Sequence, residues 1–137
     1  MEKMENKKKE NSKSLKNRFK LFFKQEFFKN RIVLWIISLN LVLNFSNWAI
    51  LWWFVKPVDS LIILHYNVYF GVDMVGNWKS VFFLPGIGLL LFFINFFLAF
   101  YFFKKLERIA CHILLMASLM IQLSLFIASS SIILINY

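Results

Sequence analysis

Three stretches of the chain are long apolar runs: Ile32 to Val55, Val81 to Phe103, and Ile109 to Ile135. None of them contains Asp, Glu, Lys or Arg. Each exceeds the roughly 20 residues that an α-helix needs to cross about 30 Å of hydrocarbon. The pattern therefore predicts three transmembrane helices, 32–55, 81–103 and 109–135. Pro57 stops the first, and Pro85 falls in the first turn of the second, where proline is tolerated. The link 104–108 is short enough to force the second and third helices into a tight antiparallel hairpin.

The segments outside these runs have their own patterns. Residues 1–14 are polar and basic, and read as a disordered tail. Over 15–31, Leu15, Phe19, Phe22, Phe23 and Phe27 recur at helical spacing, with Lys16, Lys20, Lys24 and Lys29 filling much of the rest. That spacing predicts an amphipathic helix lying in the membrane interface, its lysines near anionic head groups. In the link 56–80, residues 61–70 are rich in β-branched and aromatic types, and alternate with a strand-like period of two. Gly71 and Gly76 mark turns, and Trp78 reads as an interface anchor. The fold class expected is an all-α integral membrane protein. Three transmembrane helices follow an interfacial amphipathic helix, and a short extracytoplasmic strand-like loop joins the first two spans.

Composition sharpens this picture. The 137 residues are 60% hydrophobic and only 17% charged, with 18 Phe and 5 Trp. Soluble domains run nearer 45–50% apolar and about 25% charged, so a soluble globular enzyme is excluded. The net charge of +9 is lopsided: residues 1–31 hold eleven Lys/Arg against four Glu, and 104–108 adds Lys104, Lys105 and Arg108 against Glu107. The link 56–80 is neutral, with Lys56 and Lys79 against Asp59 and Asp73. The positive-inside rule then places 1–31 and 104–108 in the cytoplasm, and 56–80 and Tyr137 outside. Lys104 and Lys105 join Lys16, Lys20 and Lys24 as candidate contacts to anionic head groups. Nucleic acid is not the expected partner, since the interleaved Phe residues belong in lipid and no nucleic-acid motif accompanies the charge. The basic start is too long for a cleavable signal peptide, so the first span reads as retained.

Polar groups inside the spans are few. Asn40, Asn44 and Asn47 fall within about 60° of arc on one helix face. The second span offers Asn95, and the third offers Gln122, with Ser118 and Ser129 on roughly its face. Amides in hydrocarbon need partners. Asn44 and Gln122 both lie near the centres of their spans, while Asn40 and Asn95 are both displaced toward the cytoplasmic side. The expected role is interhelical contact, worth about 0.6–2 kcal/mol per bond. A polar path for an ion or solute is the sharper alternative, but it normally carries an ionisable group at mid-depth. Contact with another subunit's helices is the third. Ala110, Ala117, Ser124, Ala128 and Ser131 recur at intervals of 3, 4 and 7, and Gly86 and Gly88 lie in the second span; both sets permit close helix approach.

Chemistry-bearing clusters are thin. The single Cys111 excludes an internal disulfide and a multi-Cys zinc site. His65 and His112 belong to opposite sides of the membrane, and His65 with Asp73 has no third ligand in view. Cys111 and His112 point about 100° apart on a helix. The serines near the outer surface lack a glycine-flanked nucleophile motif. No cofactor, metal or catalytic residue is expected, and no enzyme.

The outer link carries His65, Tyr66 and Asn67, then Gly71, Asp73, Gly76, Trp78 and Lys79, followed by an apolar span containing Pro85. Over residues 61–100 this resembles the bacterial membrane-protein family of the sporulation-delaying-toxin immunity type. That family carries a His-aromatic-Asn, Gly, Asp, Gly and basic pattern between its first two spans. Here Gly71 and Lys79 stand one residue late, and the prolines that usually precede the His and the Asp are missing. The resemblance implies a multispan bacterial protein that senses or resists an extracellular peptide, with His65, Asn67, Asp73 and Trp78 as outer recognition candidates.

The function expected from the residues is a small non-enzymatic subunit, anchor or assembly partner in a bacterial inner-membrane complex, bound to other subunits or to itself. The alternatives are an immunity or sensor protein acting through 61–80, and a small channel or transporter subunit lined by the Asn faces. The N-terminus is expected in the cytoplasm and the C-terminus outside. A thiol label on Ser60→Cys should react from outside intact spheroplasts; protection of that site would reverse the orientation.

Overall fold

The computed structural model describes residues 26–137. The chain divides into two compact units, 1–34 and 35–137.

In the first unit, Glu26–Lys29 forms a 3-10 turn with Phe27 buried. The Phe27 and Phe28 rings meet edge to face at 5.1 Å. Asn30 then breaks the chain direction and caps helix α1, Arg31–Phe54. Its Oδ1 accepts from the backbone N–H groups of Ile32 (3.0 Å) and Val33 (3.4 Å), as asparagine does at an N-cap. The sequence pattern extends an amphipathic helix over 15–31. Its residues 15–25, with Lys16, Lys20 and Lys24, lie outside the described residues, as does the 1–14 tail. Its described residues 26–31 form the 3-10 turn, the Asn30 cap and the first residue of α1 instead.

The second unit holds α1 from Trp35 onward, a hairpin of β1 (Ile62–Asn67) and β2 (Gly71–Gly76), a 3-10 turn Trp78–Phe82, α2 (Phe83–Lys104) and α3 (Arg108–Asn136). The chain is thus mostly helical with a two-stranded antiparallel sheet. Three of its helices are long and apolar enough to cross a membrane. Their bounds fall within two residues of the predicted spans.

These helices are apolar over most of their surface and carry no charged face. The inward stripes still follow 3–4 spacing: Ile36, Asn40, Asn44, Asn47 and Leu51 on α1; Pro85, Gly88, Phe92, Ala99 and Phe103 on α2; Leu115, Ser118, Gln122 and Ser129 on α3. Among the described residues, all six buried polar side chains belong to α1 and α3. Trp35, Phe45, Phe97 and Ile113 face outward, each at least 60% exposed. The polarity is inside-out. α2 and α3 approach each other most closely, helped by the small side chains of Gly88 and Ala99 on α2. A Cβ at Gly88 would sit 2.9 Å from both Gln122 Oε1 and Leu125 Cδ1, whereas one at Gly86 would meet nothing within 4 Å. Of the two glycines, Gly88 is the one that a close approach requires.

The α2–α3 connection closes with a left-handed residue. Leu106 has φ 66°, while Glu107 N–H donates to Phe102 O (3.0 Å) and Leu106 N–H to Phe103 O (3.1 Å). This pattern satisfies carbonyls at a helix end, usually with glycine at the left-handed position.

The predicted strand-like loop is a full hairpin. Gly71 and Gly76, read from sequence as turn markers, bound a second strand that its composition does not announce. The tip is Val68, Tyr69 and Phe70. Asn67 Oδ1 accepts from Tyr69 N–H (2.9 Å), and Gly71 takes φ 81°, a conformation open to glycine at no steric cost. The hairpin base is fastened to the end of α3 by one side chain. Asn136 Oδ1 accepts from Ile63 N–H (2.8 Å), and Asn136 Nδ2 donates to Ile63 O (2.7 Å) and to Ile132 O (2.8 Å). The amide thus does for β1 what a neighbouring strand would do. Beneath it Leu51, Val55, Ile62, Val81, Ile132 and Ile133 form a small apolar core.

Replacing Asn136 by leucine keeps the helix and removes the clamp. Hydrogen exchange at the Ile63 amide should rise about tenfold, the loss expected for net hydrogen bonds of this kind, with α2 amides unchanged. Unchanged exchange at Ile63 would show that the apolar core alone holds the hairpin.

Candidate functional site

Two clusters bring the sequence candidates together. The first is the polar seam. Asn44 Nδ2 donates to Pro85 O (2.9 Å) on α2 and to Gln122 Oε1 (3.1 Å) on α3. Gln122 Nε2 donates onward to Gly88 O (2.8 Å). One chain of three bonds therefore ties all three long helices at a single level. Asn40 Nδ2 donates to Ile36 O one turn back (2.9 Å) and, at 3.4 Å, to Leu115 O. Asn95, at a similar depth by residue count, is not its partner. It is half-buried and makes no side-chain hydrogen bond among the described residues.

Other seam groups are left over. Asn47 Nδ2 and Oδ1, Asn40 Oδ1, Ser118 Oγ and Ser129 Oγ are buried without a hydrogen-bond partner among the described residues. Ser124, Ser130 and Ser131 differ: each hydroxyl donates to the carbonyl four residues back, at 2.9–3.0 Å. A buried unpaired polar group costs about 1–3 kcal/mol. The seam thus holds one layer bonded across all three long helices, flanked by layers with unpaired groups.

The second cluster lies on the hairpin. Strand pairing runs Ile62↔Gly76, Ile63↔Val75, His65↔Met74, Tyr66↔Val72 and Asn67↔Gly71. Leu64 on β1 and Asp73 on β2 have no opposite number, so each strand carries a bulge. Bulges re-aim side chains. Leu64 packs against the core beneath and fills the space over Gly76. Asp73 comes to His65, with Nδ1 and Oδ1 2.6 Å apart, and both side chains remain open to solvent at 63% and 44% exposure. The two bulges were not legible in the sequence, because nothing in a period-two pattern marks a register slip on the opposite strand. Asn67 serves the turn. Trp78 is half-buried, edge-on to Phe82 at 6.4 Å, with Lys79 Nζ 5.4 Å over its ring.

The remaining candidates stand apart from these clusters. Lys104 and Lys105 are exposed at the end of α2, their ammonium groups 4.6 Å and 5.9 Å from the rings of Phe100 and Tyr101. His112 Nδ1 donates to Arg108 O (2.6 Å), and Cys111 is fully buried. Among the described residues no three His, Cys, Asp or Glu side chains converge. No family model, curated protein or solved structure matches the chain.

Three of the five small residues on α3 stand on its exposed side. Ala117, Ser124 and Ser131 are exposed, whereas Gln122 and Leu125 meet α2 at Gly88. The two sets sit on different faces of one helix, and both obey helical spacing, so spacing alone cannot choose.

Two leucine substitutions separate bonded from unbonded amides. Asn44→Leu should destabilise the fold by about 1–3 kcal/mol, since it strands Gln122 Oε1. Asn47→Leu should stabilise it, by removing two unpaired groups. Both are read by detergent-titrated unfolding of the whole chain. Equal destabilisation by the two changes would show that Asn47 has a partner.

Proposed function

We propose that this chain is a multi-pass protein of the bacterial cytoplasmic membrane, N-terminus inside and C-terminus outside, acting without catalysis as a subunit or assembly partner. The observation that carries the reading is the outward stripe of Ala117, Ser124 and Ser131 on α3. Its sevenfold spacing suits a second helix at close range. The hydroxyls of Ser124 and Ser131 are already bonded within their own helix, so the stripe offers shallow surface with no unmet polar demand. Among the described residues this face is exposed, while the polar seam takes up another one. The lopsided lysines support the orientation, and the anionic head groups of the inner leaflet are the lipid partners of Lys104 and Lys105.

A second reading draws on the hairpin. The exposed His65–Asp73 pair stands beside Val68, Tyr69 and Phe70, which are 85–91% exposed. A tip so apolar, on a base so firmly held, suits recognition of an extracytoplasmic peptide. This is the role that resemblance to the toxin-immunity family implies. In that reading His65→Ala or Asp73→Ala abolishes protection of cells while membrane insertion survives. The Asn faces as the lining of a solute path gain no comparable support, because their central layer is closed by its own hydrogen bonds.

A photo-crosslinking amino acid placed at Ala117 should capture one discrete protein or a second copy in native membranes. The same probe at Phe97, on the lipid-facing side of α2, should not. Identical lipid-only adducts from both positions would sink the subunit reading.

A further inference from the structure

A cleft of ≈ 580 Å³ lies between the outer end of α1 and the 3-10 turn before α2. Four of the chain's five tryptophans line it: Trp48, Trp52, Trp53 and Trp78. Phe82 joins the two sides. It stacks on Trp48 at 5.9 Å with 27° between the rings, and meets Trp78 edge-on at 6.4 Å. Lys56 stands in the lining, and Lys79 Nζ covers the Trp78 ring at 5.4 Å.

We propose that this cleft binds one anionic phospholipid of the outer leaflet, with its phosphate at Lys56 and its upper acyl chain along the indoles. The proposal rests on the membrane reading above. The size fits, since ligand sites run about 300–1,000 Å³. The depth fits as well. Trp48 stands six residues before Phe54, about 9 Å down the helix at 1.5 Å per residue, which covers the head-group boundary and the first methylenes. Tryptophan suits that boundary because its ring is apolar and its N–H is not.

Charge selects the occupant. Aromatic cages also take quaternary ammonium groups, but Lys79 already covers one face here and Lys56 adds a second positive charge, so a cation is repelled. No Asp or Glu is among the lining residues. Asp73 is engaged by His65, and Asp59 stands exposed beyond Pro57. A free phosphate ion would gain the lysine but nothing from four indoles. An anionic lipid uses both. The wall Trp48–Phe82–Trp78 is held ring against ring, so the lipid meets a preorganised site rather than a passing annular contact.

The test uses the whole chain in phosphatidylcholine vesicles, with bromine-labelled acyl chains quenching tryptophan fluorescence. Brominated phosphatidylglycerol should reach half-maximal quenching at about fivefold lower mole fraction than brominated phosphatidylcholine, as one lysine's attraction to an anionic head group implies. Lys56→Gln, an exposed position whose change leaves helix content intact, should erase that difference. Added inorganic phosphate should not reverse the quenching. Equal quenching by both lipids would reduce the cleft to annular contact and overturn the proposal. Reversal by inorganic phosphate would overturn it in favour of an ion site. A chain that fails to float with the vesicles would overturn the membrane reading itself, a result distinct from the other two.

Discussion

The Asn44 side chain reaches both other long helices at once, bonding to a backbone carbonyl of α2 and to the Gln122 amide of α3. Gln122 closes the arrangement on Gly88 O. Apolar side chains cover the helices on every face, so apolar packing alone would not single out one rotation of α1 against the α2–α3 pair. Two amides do, because a buried amide without a partner costs more than most apolar rearrangements. Gly88 is the steric condition for this contact. A Cβ there would stand 2.9 Å from the Gln122 oxygen and 3.2 Å from Asn44 Nδ2. Register, rotation and helix approach therefore meet at one level of the bundle.

The inside-out polarity follows from that junction. With polar groups drawn to the seam, the lateral surface is left to Phe, Leu, Ile and Trp, which suits a hydrocarbon surround and leaves the small-residue stripe of α3 as its shallowest strip. The seam is not polar in order to be wet; its central layer is filled by its own bonds. The unpaired layers of Asn47 and Ser129 on one side, and of Ser118 and Asn40 Oδ1 on the other, are where stability has been given up.

The hairpin end of the bundle works by a different logic. A two-stranded hairpin alone is marginal, and this one borrows stability from α3. Asn136 supplies both a donor and an acceptor to Ile63, while Ile62 and Leu64 reach the small core beneath. With the base fixed, the tip can stay apolar and exposed, and the His65–Asp73 pair can stay open. Next to it the tryptophan cleft is built from the same 3-10 turn that feeds α2, so the hairpin, the cleft and the small apolar core share one short piece of chain.

The sequence by itself determined the three long helices, their ends to within two residues, the tight α2–α3 connection and a strand within 61–70, of which 62–67 is strand and 68–70 turn. These follow from hydrophobic runs, proline and local spacing, all of which act over a few residues. It also placed Asn44 and Gln122 at matching depth, since rise per residue is fixed. Tertiary structure alone decided the rest. Asn40 turned to Ile36 and Leu115 rather than Asn95, because depth is legible in one dimension and rotation about the helix axis is not. The stripe of Ala117, Ser124 and Ser131 faced outward, because on a helix with no charged face two faces obey the same period. β2 and its bulge at Asp73 arose from pairing with β1, a long-range hydrogen-bond choice that local composition does not record. The Asn136 clamp joins residues 73 positions apart, and only the folded chain brings them together.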